Sequence, residues 1–402
     1  METEEIILDD IPEKAQKKIH TVSFTFLALV VGVVLFFISQ AVFTVFVVDE
    51  DERAEMFGEN SSSAEVTEEK FLGHDYCGTF YIWLSAENHY GSAENYKAAE
   101  KAADENSLMG VAGNIISTAS PILLFVCVFL AFRKADKKRF FVQNGWMFLM
   151  TAGIAVLIEG VWKVIRQIYL MNAEQPYVTG IFENRSYYCQ IYQLFGIPAL
   201  IIMTALITRQ HSLSVRQREK SGNSRALKAF AVLMGAVTSG FMLIRLVTRI
   251  YEIASYKTHD AKLPFYSDLL TFPRELADSP EIYRDLLIYR LVKDLPVFIA
   301  CAVTVYLLIR VMFSSARNEI NTHKNMKRFN ICMLALLISS VMFNLMGLHE
   351  ADVLNGHFSG IYGNVVYTIG LRALTDPALY AVILWFCKTF VGIAGKREEE
   401  TE

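Results

Sequence analysis

The sequence has few charged residues and no excess of basic ones. Charged side chains make up 20% of the 402 residues, and 38 Lys and Arg stand against 42 Asp and Glu, a formal net charge of −4. A chain without a basic field cannot attract a nucleic-acid backbone, so we exclude nucleic acid as a partner. The hydrophobic fraction of 53% and the mean hydropathy of +0.31 instead indicate a membrane protein that lies in a lipid bilayer.

Motifs for cofactor and metal chemistry are also lacking. The sequence has no Gly-rich phosphate loop, no Ser nucleophile elbow and no Cys/His spacing that suits a metal. The pair His349-Glu350 does not begin a zinc-binding His-Glu-x-x-His motif, because residue 353 is Val. We therefore expect no cofactor, no metal and no nucleotide-hydrolysing domain.

Long apolar runs, by contrast, are abundant. A helix that crosses a hydrocarbon core of ~30 Å needs roughly 20 mostly apolar residues. We predict an all-α polytopic membrane protein with eight transmembrane helices. The predicted spans 1 to 8 are approximately 22–48, 108–132, 141–169, 189–208, 227–250, 289–313, 329–348 and 372–393.

Basic residues indicate the orientation of these spans. Five short segments on one side hold 22 of the 38 Lys and Arg, whereas the loop 49–107 holds fifteen acidic and four basic residues. Because cytoplasmic loops carry the excess of Lys and Arg, we predict a cell-membrane protein with both termini in the cytoplasm. It would have a tail at 1–20, a transmembrane domain at 21–393, an extracytoplasmic acidic loop at 49–107 and a tail at 394–402.

Proline is scarce, and four of the nine prolines occupy matching positions in the even-numbered spans. Pro121, Pro198, Pro296 and Pro377 each stand 11 to 14 residues before a basic residue, which places them at similar depths. We interpret the chain as four helical hairpins, 1-2, 3-4, 5-6 and 7-8, whose kinks open an outward vestibule. Proline is also common in transmembrane helices generally, and that alternative stays open.

Ionisable residues inside spans are costly and cluster here towards the predicted outer ends. Spans 3 and 5 share one spacing, i, i+4 and i+7. The charged positions are Glu159, Lys163 and Arg166 in span 3; Arg245, Arg249 and Glu252 in span 5; Arg290, Lys293 and Asp294 in span 6; His349 and Glu350 in span 7; and Arg372 and Asp376 in span 8.

These charges admit a functional and a structural interpretation. The functional one is a cation-rich pocket for an anionic solute or a lipid headgroup, because Arg presents a planar fork to carboxylate and phosphate. Its predicted ligand-binding residues are Lys163, Arg166, Arg245, Arg249, Glu159, Arg290, Lys293 and Arg372. The structural interpretation is a ring of salt bridges and snorkelling side chains that anchors the helix ends.

Three classes of function are compatible with this pattern. A transporter or permease would use the outer pocket as its entry site. A receptor, sensor or accessory subunit would need only the pocket and the basic loops, which would contact a membrane-protein partner. A membrane enzyme acting on a lipid-linked substrate at the outer face would use Glu159, His349, Glu350 or Asp376 as acid or base, but no known spacing commits these residues, so an enzyme is the least favoured class.

The cysteines generate a first prediction. Cys127, Cys301, Cys332 and Cys387 lie within predicted spans, whereas Cys77 and Cys189 lie on the predicted outer side. Because that compartment is oxidising, we predict a disulfide between Cys77 and Cys189. Both thiols should react with a maleimide only after reduction, and two reactive outer thiols in the native protein would contradict the prediction.

Overall fold

The computed structural model is helical, and most of the residues that it describes lie from residue 91 onwards. The described residues are 21, 75–76, 81–82, 84–85, 91–104, 107–136, 144–179, 186–187, 191–212, 222–265, 268–272, 274, 277–317, 322–357, 365–366 and 377–401. Predicted span 1, both cysteines of the predicted disulfide, Arg372 and Asp376 lie outside these residues, so the predictions that concern them stay predictions.

The described part of the chain forms eight α-helices. They are α1 (Ala93–Asp104), α2 (Ser107–Asp136), α3 (Gly145–Glu174), α4 (Ile191–Ser212), α5 (Asn223–Ala254), α6 (Pro280–Ala316), α7 (Thr322–His357) and α8 (Pro377–Thr401). Helix α1 is the short Ala/Glu/Lys-rich helix that precedes the second span. Helices α2 to α8 fall where spans 2 to 8 are predicted, although most continue past the apolar run into polar residues. At α6 this extension is capped, because Pro280 starts the helix and the Ser279 side chain accepts a hydrogen bond from Ile282 N at 3.3 Å.

Five of the described helices are long and apolar enough to cross a membrane. They are the stretches Gly145–Tyr177, Asn223–Ala254, Pro280–Ala316, His323–Glu350 and Pro377–Ala394. Large apolar side chains in their middle turns are exposed, such as Ile244 (67%), Ile299 (63%) and Leu345 (61%), as expected of surfaces that face hydrocarbon. The protein is thus a helical, multi-pass membrane protein, while the number of eight spans and the orientation of the termini remain predictions.

Short antiparallel strands join the loops at one end of the helices. Strand β1 (Asp75–Tyr76) pairs with β3 (Leu84–Ser85), and β2 (Tyr81–Ile82) pairs with β7 (Val365–Val366). Strands β4 (Ser186–Tyr187), β5 (Ala261–Phe265) and β6 (Asp268–Phe272) form a sheet in the order β4-β6-β5, with Ser186 opposite Leu269. These strands come from the segment before α1 and the connections after α3, α5 and α7, so we call this end the strand end. The ends of α2, α4 and α6 and the starts of α3, α5 and α7 lie at the opposite end, which we call the basic end after Lys and Arg residues such as Arg133, Arg209 and Lys324.

Many fully buried side chains lie near the basic end. Side chains with no exposed surface there include Phe132, Met203, Ile207, Leu227, Met312, Phe329 and Val391. Polar side chains tie the same ends together: Asn223 Nδ2 donates to Gln210 Oε1 at 2.8 Å, and Ser224 Oγ donates to the Ala316 carbonyl at 2.7 Å. The basic end of the bundle is therefore closed by packed side chains.

The four prolines all belong to described helices. Pro121, Pro198 and Pro296 lie inside α2, α4 and α6, and Pro377 is the first described residue of α8. The interpretation as four kinks at matching depths stays a prediction.

Gly153 allows the close approach of α3 and α4, and this generates a prediction. A Cβ atom at Gly153 would lie 2.6 Å from Ile202 Cγ1 and 3.3 Å from the Ile202 backbone nitrogen. We expect Gly153→Ala to push the two helices apart and to lower the free energy of unfolding by about 1–3 kcal/mol. Thermal unfolding in detergent, followed by size-exclusion chromatography, measures the effect.

Gly240 on α5 provides the matched control. A Cβ atom there meets no other atom within 4 Å, and Ala is the better helix former by ~1 kcal/mol in soluble helices. Gly240→Ala should keep or slightly raise the stability. Equal destabilisation by the two substitutions would show that Gly153 has no special packing role.

Candidate functional site

Seven ionisable residues from three helices meet towards the strand end, at depths from the last turn of α5 (Glu252) to about four turns inside α6 (Asp294). We call them the charged cluster: Arg245, Arg249 and Glu252 on α5; Arg290, Lys293 and Asp294 on α6; and Glu350 on α7. All are buried except Arg245, whose side chain is 19% exposed. Their helical spacing brings them to one side of each helix, because residues three and four apart share a face.

Glu350 is the most deeply buried member of the charged cluster. Its side chain has no exposed surface, and it pairs with two cations of α6. Glu350 Oε1 lies 2.6 Å from Arg290 Nε, an ion pair without the geometry of a directed hydrogen bond, and Glu350 Oε2 accepts a hydrogen bond from Lys293 Nζ. One carboxylate therefore joins α7 to α6 at two points.

Asp294 makes the corresponding connection between α6 and α5. Its carboxylate lies 3.2 Å from Arg245 Nη2 and 3.4 Å from Arg249 Nε. Arg249 also donates from Nη1 to Glu252 Oε2 at 2.9 Å on its own helix. Asp294 is therefore shared between two guanidinium groups, of which Arg245 is the more exposed.

Aromatic residues surround the charged cluster and fix its members. Lys293 Nζ lies 4.9 Å above the centre of the Phe343 ring, and the Arg245 guanidinium lies 5.8 Å from that of Phe298. Tyr289 donates from its hydroxyl to the Met346 carbonyl at 2.8 Å and packs edge-on against His349. With four cations and three carboxylates, the charged cluster carries a formal charge of about +1 at neutral pH.

The charged residues of α3 are not part of this cluster. Lys163 pairs with Glu159 of the same helix at 2.5 Å and is 57% exposed, and Arg166 is exposed too. Helix α3 packs against α2 and α4, whereas the cluster is built from α5, α6 and α7. Of the eight predicted ligand-binding residues, the structure thus brings together Arg245, Arg249, Arg290 and Lys293.

An apolar cavity of about 310 Å³ lies among α4 to α8. Its lining runs along α5 from Phe230 to Phe241 and along α6 from Val297 to Leu308. Eleven residues of helix correspond to ~16 Å, so the lining covers about three turns of α5 and of α6. The few polar side chains of its wall include Thr304, whose Oγ1 finds no hydrogen-bond partner among the described residues.

The cavity and the charged cluster adjoin each other. On α5 the lining ends at Phe241, and Arg245 follows one turn later. On α6 the lining begins at Val297, and Lys293 and Asp294 precede it by one turn. The charged cluster therefore lies next to the apolar cavity, on the side of the cavity that is nearer the strand end.

Two parts of this site could not be predicted from the sequence. Asp294 and Glu350 are not among the predicted ligand-binding residues, although both are central to the ion pairs. The intervals among Arg290, Lys293 and Asp294 place them on one helix face, but they give no information on the partner helix. The cavity was missed because its lining residues are apolar, like most residues of the spans.

The acids proposed for catalysis do not assemble into a site within the described residues. Glu159 lies on α3 and Glu350 is enclosed by two cations, while His349 packs on Tyr289. A general acid or base must reach the proton that it transfers. The described geometry therefore adds no support for an enzyme.

Glu350 generates a prediction about stability. Glu350→Gln leaves Arg290 and Lys293 buried without their carboxylate, so we expect the free energy of unfolding to fall by about 3–5 kcal/mol. Unfolding of the purified protein in a titration with sodium dodecyl sulfate measures this change.

Glu159→Gln is the control for the same substitution at a less buried ion pair, in which the Glu159 side chain is 14% exposed. Because Lys163 is 57% exposed, the loss should be within about 1 kcal/mol. Similar losses for the two variants would contradict a central role of Glu350. A triple variant, Glu350→Gln with Arg290→Met and Lys293→Met, should regain part of the stability, because it removes all three charges.

Comparison with known proteins adds no family to this description. No protein-family model matches the chain, and no curated protein or solved structure resembles it at a significant level. The function therefore has to follow from the charged cluster, the cavity and the membrane helices themselves.

Proposed function

We propose that this protein is a transporter or permease that takes up an anionic solute or an anionic lipid headgroup at the charged cluster. In this proposal the strand end faces outwards from the cell membrane, and the basic end with both termini faces the cytoplasm, as the excess of Lys and Arg favours. The observation that carries the proposal is the cluster of seven ionisable residues between membrane helices, four of them cations, because ionisable residues inside membrane helices commonly mark functional sites.

Arg245 is the member best suited to receive an anion. It is the most exposed cation of the cluster, and it shares the Asp294 carboxylate with Arg249. An anion that binds Arg245 replaces one half of this shared contact and leaves Asp294 paired with Arg249. The planar guanidinium can bind carboxylate or phosphate in a bidentate manner.

Binding at this position would couple to helix movement. The contact between Arg245 and Asp294 holds α5 to α6, whereas Glu350 holds α6 to α7 through two other cations. An anion that competes for Arg245 would loosen α5 and leave the pair α6–α7 intact. A ligand that favours one of two helix arrangements in this way shifts the equilibrium between them.

The second candidate is a receptor, sensor or accessory subunit that binds the anion without transporting it. The closed basic end favours this function, because Ile207, Leu227 and Phe329 have no exposed surface between the helices. In a transporter this arrangement is one of two states, and the basic end must open in the other. In a sensor it would stay closed, and the basic connections would contact a membrane-protein partner.

Flux through reconstituted vesicles tests the proposal. The probes are radiolabelled inorganic phosphate, fluorescent phosphatidylglycerol and fluorescent lysophosphatidylglycerol, the lipids being followed by dithionite bleaching. We expect at least one probe to cross faster than in protein-free vesicles. Arg245→Gln should lower this flux about tenfold or more, equivalent to at least 1.4 kcal/mol, and Arg245→Lys should retain part of it.

The double variant Lys163→Gln/Arg166→Gln is the matched control. It removes two exposed cations of α3 that do not join the charged cluster, so the flux should be unchanged. Loss of flux in this variant, but not in Arg245→Gln, would place the site on α3. Absence of flux with all three probes, together with binding of one of them, would favour the receptor or accessory function.

A further inference from the structure

We infer that the ligand is an anionic amphiphile with one hydrocarbon chain, whose head lies at Arg245 and whose chain occupies the apolar cavity. This inference rests on the proposed function and adds the chemical class of the ligand. It depends on the position of the charged cluster beside the cavity. Neither the cluster nor the cavity alone indicates a ligand with both a charged head and an apolar chain.

The cavity suits a chain better than a polar solute. Its wall is built from apolar side chains such as Leu200, Val237, Val305 and Leu336, and a polar molecule would lose its hydrogen bonds to water on entering. Its lining extends over ~16 Å of α5 and of α6, about three turns of helix. Its volume of about 310 Å³ lies at the lower end of the range of ~300–1,000 Å³ that is usual for ligand sites.

The position of the charge selects an anionic head. Arg245 stands one turn beyond Phe241, where the lining of α5 ends, and its side chain is partly exposed. The partly exposed guanidinium of Arg245 is thus at the end of the cavity, not along it. A molecule that matches both parts has a single negative group at one end and an apolar chain behind it.

A lateral entry from the bilayer is consistent with this geometry. Phe195 and Leu233 line the cavity and are nevertheless 42% and 58% exposed. The cavity therefore reaches the apolar outer surface of α4 and α5 among the described residues. An amphiphile dissolved in the bilayer could enter there with its chain already in an apolar environment.

Equilibrium binding of radiolabelled lysophosphatidylglycerol tests the inference. The full-length protein is placed in phosphatidylcholine nanodiscs, and binding to protein-free nanodiscs is subtracted. Val237→Trp and Ala199→Phe fill the cavity from two different helices, and each should weaken binding about tenfold or more, equivalent to at least 1.4 kcal/mol. Arg245→Gln should weaken it to a similar extent.

Leu243→Trp is the matched control for the cavity variants. Leu243 belongs to the same helix as Val237 but is 61% exposed on the apolar surface, so binding should be unchanged. Unlabelled lysophosphatidylglycerol should displace the probe, whereas lysophosphatidylcholine and inorganic phosphate should do so at least about tenfold less well. The first competitor lacks the net charge, and the second lacks the chain.

Thiol protection gives a readout on the unmodified protein. Cys301 lines the cavity and is only partly buried, whereas Cys127, Cys332 and Cys387 are buried. Lysophosphatidylglycerol should slow the reaction of Cys301 with N-ethylmaleimide, measured by peptide mass spectrometry, and inorganic phosphate should not. This experiment does not depend on whether a cavity variant folds.

The outcomes separate this inference from the proposed function. Unchanged binding in both cavity variants, or no protection of Cys301, would overturn the placement of the chain. Unchanged binding in Arg245→Gln would overturn the placement of the head. If phosphate crosses the vesicle membrane in an Arg245-dependent manner but lysophosphatidylglycerol does not bind, the inference is wrong and the proposed function stands.

Discussion

The double ion pair of Glu350 is the contact on which the strand-end half of the structure depends. A carboxylate with no exposed surface is stable in a membrane helix only if cations balance it, and Arg290 and Lys293 both do so. The same α6 turn carries Asp294, which binds Arg245 and Arg249 of α5. Helix α6 is thus the central member of a three-helix network of ion pairs towards the strand end.

The functional and structural interpretations of these charges are compatible. Ion pairs join α5, α6 and α7, as the structural interpretation expects, and two guanidinium groups share the Asp294 carboxylate. This shared contact lies beside an apolar cavity, and Arg245 is the most exposed cation of the charged cluster. A network that stabilises the helices can therefore also bind an anion, because one of its contacts is shared and open to competition.

The two ends of the bundle differ in their means of cohesion. At the basic end, apolar side chains such as Ile207 and Phe329 interlock, and short polar contacts such as that between Asn223 and Gln210 hold the helices. Towards the strand end, ion pairs join the helices and short paired strands join the loops. Charge pairs depend on solvent and ligands more than packed hydrocarbon does, so rearrangement is expected at the strand end first.

The sequence by itself determined the membrane location, the helices α2 to α8 and the charged positions near the strand end, because apolar run length and local charge are properties of single segments. It could not decide which charges meet, since ion pairs such as Asp294 with Arg245 join residues far apart in the chain. Spans 3 and 5 show this limit: their charges share one spacing, yet those of α5 are enclosed by α6 while Lys163 and Arg166 of α3 are exposed. Only the tertiary structure, which sets how each helix is rotated against its neighbours, separated the buried cluster from the exposed pair and placed the cavity beside it.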